Sequence, residues 1–68
     1  MQHIFGIRIK ELRESRELNQ SELARVFNVT KQTISAWENS LQETDFNMLL
    51  KIAQYFEVTI DYLLGLEN

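Results

Sequence analysis

Cysteine and proline are absent from this 68-residue chain, and its only two glycines are Gly6 and Gly65. Without cysteine there is no disulfide framework and no thiolate metal site. Without proline, and with glycine only near the ends, the interior carries no strong backbone breaker, so the chain should be helical. The single histidine, His3, sits in an N-terminal stretch expected to fray, far from any organised nucleophile. No helix face gathers the convergent carboxylates or histidines a divalent metal needs, and there is no glycine-rich phosphate loop. An enzyme, a metal site and a cofactor are therefore not expected. No apolar run approaches the roughly 18 residues of a membrane span, and the N-terminus lacks the features of a signal peptide. A cytoplasmic protein with no membrane partner is expected.

With 44% hydrophobic and 25% charged residues, the composition is that of one ordinary globular domain over residues 1–68. That size is near the lower limit for a self-sufficient core. Formal net charge is −3, but it is unevenly spread. Residues 1–37 carry six bases against four acids, whereas residues 38–68 carry Lys51 against six acids. An anionic partner should meet the first half.

Periodicity predicts five helices, at about residues 5–16, 20–27, 31–38, 46–56 and 60–64, and hence an all-α fold. In the first, Phe5, Ile9 and Leu12 share a face, with Ile7 opposite. Asn19 caps the second, with Glu22 three residues on completing a capping box, and Leu23, Ala24 and Phe27 form its apolar stripe. Asn28 can adopt the left-handed conformation that ends a helix, and Thr30 caps the third helix. There Ile34, Trp37 and Glu38 turn inward, while Lys31, Gln32, Ser35 and Ala36 project elsewhere. Asp45 caps the fourth, whose apolar set is Phe46, Leu49, Leu50, Ala53 and Phe56. Thr59 caps the last, which carries Ile60, Leu63 and Leu64. Trp37, at core spacing, is read as core rather than as a stacking platform.

The corner between the second and third helices is the informative feature. Two short helices joined by about three residues, the second showing small polar side chains outward, fit what a DNA major groove admits. Spacing alone leaves a plain solvated corner of a small helical protein equally open.

The stretch IKELRESRELNQSELARVFNVTKQTISAWENS, continuing into LLKIAQYFEVTIDYLLGL, resembles the phage repressor and Cro family of helix-turn-helix regulators. The likeness runs from about Phe5 to Leu66. It implies a compact five-helix, sequence-specific binder of double-stranded DNA, acting as a dimer on an inverted repeat and mainly as a repressor. Position by position it implies that Lys31, Gln32, Thr33 and Ala36 meet bases, with Ser35 nearby. Gln20 would bond a phosphate, as would Asn39 and Ser40 in the turn after the third helix. Arg13 and Glu38 would form an ion pair that also holds Arg13 toward the DNA backbone. Glutamine can pair with adenine, lysine can donate to guanine O6 and N7, and the methyls of Thr33 and Ala36 suit a thymine methyl. Candidate dimer surfaces are Thr59, Ile60, Tyr62 and Leu63, although Ile60 and Leu63 equally fit plain core.

One segment departs from the family pattern. Relatives often have Asn-Gly, then basic residues and a proline; here Asn39-Ser40-Leu41-Gln42-Glu43-Thr44-Asp45 holds no cation. Glu43 and Asp45 should weaken a phosphate contact there. The family also includes antitoxins, so an alternative is a protein-interaction module whose acidic second half faces a basic partner protein.

Overall fold

The computed structural model describes residues 3–67. Among them there is no strand, and five helices follow one another: α1 (His3–Ser15), α2 (Gln20–Phe27), α3 (Lys31–Glu38), α4 (Phe46–Phe56) and α5 (Ile60–Leu63). Local side chains set the starts of four of them. Asn19, Thr30, Asp45 and Thr59 lie in extended backbone and accept the N–H of Glu22, Thr33, Met48 and Tyr62 respectively. The Glu22 carboxylate returns the favour to the Asn19 N–H at 2.8 Å, closing the capping box.

The ends share one device, which explains how a chain almost without glycine makes so many corners. Glu17, Asn28, Ser40 and Glu57 all take left-handed backbone, with φ between 57° and 60°, and Gly65 does so at 80°. The N–H of the following residue then reaches back five positions: Leu18 to Arg13 O, Val29 to Ala24 O, Leu41 to Ala36 O, Val58 to Ala53 O and Leu66 to Asp61 O. Three of the five sites, Glu17, Ser40 and Glu57, carry a side chain that disfavours this conformation, whereas asparagine and glycine adopt it readily.

The core consists of Phe5, Ile9, Leu23, Ala24, Phe27, Ile34, Trp37, Leu49, Ile52, Ala53, Phe56 and Leu63. Trp37 is its hub, edge-on to Phe5 with ring centroids 6.3 Å apart and tilted against Phe27 at 6.4 Å. Among the described residues its buried indole Nε1–H has no hydrogen-bond partner.

Three expectations need correcting. His3 is not frayed: α1 starts there, and the Ile4 side chain in its first turn lies where a Cβ on Gly65 would sit. In α4 the buried stripe is Leu49, Ile52, Ala53 and Phe56, while Phe46 and Leu50 are 63% and 37% exposed. At 100° per residue the buried four span about 100° and the other two fall on one flank just outside. Finally, α5 stops at Leu63 because Gly65 turns the chain.

Candidate nucleic-acid interface

The helices α2 and α3 are joined by Asn28, Val29 and Thr30 alone, and they pack on each other through Leu23, Ala24, Phe27, Ile34 and Trp37. Helix α1 supports α3 from behind. Eight residues make α3 about 12 Å long, and the diameter of an α-helix, about 10–12 Å with side chains, is what a B-DNA major groove admits. Its free surface carries Lys31 and Gln32, both exposed, then Thr33, Ser35 and Ala36, each half-exposed.

These side chains differ in how far they are already committed. Lys31 and Gln32 are exposed at the helix start, and among the described residues no side-chain hydrogen bond commits their donors. The Thr33 hydroxyl lies 3.0 Å from that of Thr30, which is itself the helix cap. Asn39 turns its Nδ2 back onto α3, donating to Ser35 O at 2.9 Å and to Ser35 Oγ at 3.3 Å. Its amide donors are thus directed into its own helix rather than toward a phosphate. Ser40 Oγ is 3.3 Å from His3 Nδ1.

Beneath this surface lies a charged junction of three helices. Arg13 Nε donates to Glu38 Oε2 at 2.6 Å and Nη2 to Glu38 Oε1 at 3.1 Å, while Nη1 donates to Leu18 O at 2.8 Å. Gln20 Nε2, at the start of α2, also donates to Glu38 Oε1 at 3.0 Å. The Glu38 side chain is only 3% exposed. It stands at the C-terminal end of α3, where the helix dipole disfavours an anion, so Arg13 is its necessary partner. The hydrogen bond to Glu38 holds the Arg13 pKa above its usual high value, against an opposing effect of burial. Of the two roles expected for Arg13 the structure shows the ion pair, and three of its five N–H donors are taken up by Glu38 and Leu18.

Gly6, which by its place near the N-terminus looks neutral in the sequence, makes this junction possible. A Cβ there would lie 2.5 Å from Trp37 O and 2.8 Å from Glu38 O, so only glycine lets α1 approach the end of α3. The available signal was an isolated glycine inside an otherwise periodic helix.

The α5 candidates divide. Leu63 is fully buried and cannot form a surface, because it closes the core beneath α1 and α4. Ile60 is half-buried against that core. Tyr62 lies under the Arg8 guanidinium, 4.0 Å from the ring centroid. Thr59 caps Tyr62 and donates its hydroxyl to Glu67. In the α3–α4 segment, Asp45 is engaged as the α4 cap, with Oδ1 2.8 Å from Met48 N.

Two short helices at a three-residue corner, the second held by a buried ion pair and open along its polar side, define a helix-turn-helix domain. The Helix-turn-helix family model matches residues 9–63, and the chain belongs to that family. It is 35% identical over 61 residues to the HTH-type transcriptional regulator ImmR of Bacillus subtilis (strain 168), covering 90% of this chain and 48% of ImmR. The chain thus spans about half the length of that curated relative. The P22 c2 repressor, in a crystal structure with synthetic operator 9T, superposes with a TM-score of 0.80 at 30% identity, covering 87% of this chain and 89% of that one. The N-terminal DNA-binding domain of SinR from Bacillus subtilis gives 0.81 at 33% identity, with 93% of both chains covered. These relatives are regulators, not enzymes. Among the described residues no helix is long and apolar enough to cross a membrane.

Proposed function

We propose that this domain binds double-stranded DNA sequence-specifically and serves a transcriptional regulator, acting as a repressor by occupying a promoter. The observation that carries the reading is the exposed start of α3, where the Lys31 and Gln32 side chains stand free on a short helix that a major groove admits. Lys31 donates to guanine, Gln32 pairs with adenine, and Thr33, Ser35 and Ala36 line the remaining contact. Gln20, with the Ser40 hydroxyl in the turn after α3, meets the phosphate backbone. Support comes from the operator complex of the P22 c2 repressor and from the regulatory role of ImmR. One eight-residue helix covers only a few base pairs, so two copies on one face of the duplex read half-sites about one helical turn apart. The dimer contact then falls on the exposed edges of Thr59, Ile60 and Tyr62.

Selection from a random double-stranded pool tests this directly. An enriched inverted repeat is expected. Enrichment of a lone asymmetric site would refute the dimer, and no enrichment at all would refute sequence-specific DNA binding.

A further inference from the structure

The Glu38 carboxylate accepts three hydrogen bonds, two from Arg13 and one from Gln20, although the two from Arg13 already satisfy its charge. We propose that Glu38 is a positioning residue for DNA binding, fixing the Gln20 carboxamide so that its second N–H faces a backbone phosphate. This rests on the DNA-binding reading above and deepens it.

The argument is geometric. Gln20 is the first residue of α2, where main-chain N–H groups lack intrahelical acceptors and the dipole is positive. The capping box takes up the N–H groups of Asn19 and Glu22 but leaves those of Gln20 and Ser21. A carboxamide has two N–H donors, and Glu38 occupies one. The other has no partner among the described residues and belongs to a half-exposed side chain on the first residue of α2. A glutamine left mobile would lose rotamer freedom on meeting a phosphate; here that ordering is already present in the free protein. Arg13 is part of the same device, since it holds the buried carboxylate in place from α1. Glu38 therefore links the helix that reads bases to the residue that sets the helix against the backbone, without touching DNA itself.

Affinity for a labelled mixed-sequence duplex two helical turns long, measured by anisotropy at low salt, tests the proposal. Gln20→Ala should weaken binding about tenfold, the loss of one hydrogen bond to a charged group. The double variant R13M/E38M replaces the ion pair with apolar volume, an exchange such pairs often tolerate. In that background Gln20→Ala should change affinity by less than about twofold, because the two effects share one route. Should R13M/E38M fail to fold, Glu38→Asp keeps the charge and withdraws the acceptor by one methylene. In free protein, NMR of the Gln20 side-chain amide should show an ordered group that becomes mobile in either variant, a change that loss of stability elsewhere would not produce. An equal loss from Gln20→Ala in both backgrounds, or none in the wild type, overturns the proposal alone. A wild type that binds no duplex overturns the DNA-binding reading, and this proposal with it.

Discussion

Replacing Gly6 with alanine sets two opposing effects against each other. Alanine in a helix interior is favoured over glycine by about 0.8–1 kcal/mol. The added Cβ, however, would stand 2.5 Å from Trp37 O and 2.8 Å from Glu38 O, both main-chain atoms with no rotamer to yield. Restoring an ordinary contact of about 3.4 Å requires α1 to back away from α3 by about 0.9 Å. Overpacking of that kind costs about 1–3 kcal/mol, and two rigid neighbours place it in the upper part of the range. The net loss should be about 1–2 kcal/mol, which in a domain this small lowers Tm by about 5–15 °C. Arg13 lies two turns further along the same face of α1, so the displacement also loosens its pairing with Glu38. Thermal unfolding followed by the fluorescence of Trp37, the sole tryptophan and 2% exposed, provides the assay. Glu11→Ala, on the exposed side of α1, is the control and should leave Tm near wild type. A Gly6→Ala protein melting at or above wild type would show that helix propensity wins and that α1 does not seat rigidly on α3.

Three further outcomes follow from the same geometry. Gln32→Ala should cost about 1–3 kcal/mol on the selected site and little on random duplex, read by competition titration; equal losses on both would show that Gln32 does not read bases. Glu38→Ala leaves the Arg13 guanidinium buried without its anion and should destabilise the fold by roughly 3 kcal/mol in urea unfolding, whereas a change below about 0.5 kcal/mol would place the pair effectively in solvent. Glu57→Gly relieves a left-handed residue at φ 59° and should raise stability by about 0.5–1 kcal/mol, a few degrees in a thermal melt, and a lowered Tm would mean that the glutamate side chain stabilises this corner.

The starts of α2, α3, α4 and α5 were legible because a cap is a contract between a side chain and an N–H three residues away. The stripes of α2 and α3 were legible for the same reason: spacing decides which residues share a face. What spacing cannot show is how two faces meet. Gly6 reads as a permissive residue until the main chain of Trp37 and Glu38 is found against it. Phe46 and Leu50 look as apolar as Ile52, and only the placement of the neighbouring helices decides which of them is covered. The candidate site shifted by the same mechanism. Gln20 and Arg13 are 18 and 25 residues from the Glu38 that holds them, and His3 is 37 residues from Ser40. A residue type states which donors a side chain owns, but its availability to DNA depends on partners elsewhere in the chain. Three N–H groups of Arg13 and the Asn39 amide are committed within the protein, and Gln20 retains one N–H. In the proposed reading base contacts stay with Lys31 and Gln32, and what these partners change is the set of groups left for the phosphates. With Lys31 the only cation on α3, the exposed face of that helix is better suited to discriminating among bases than to gripping the phosphate backbone.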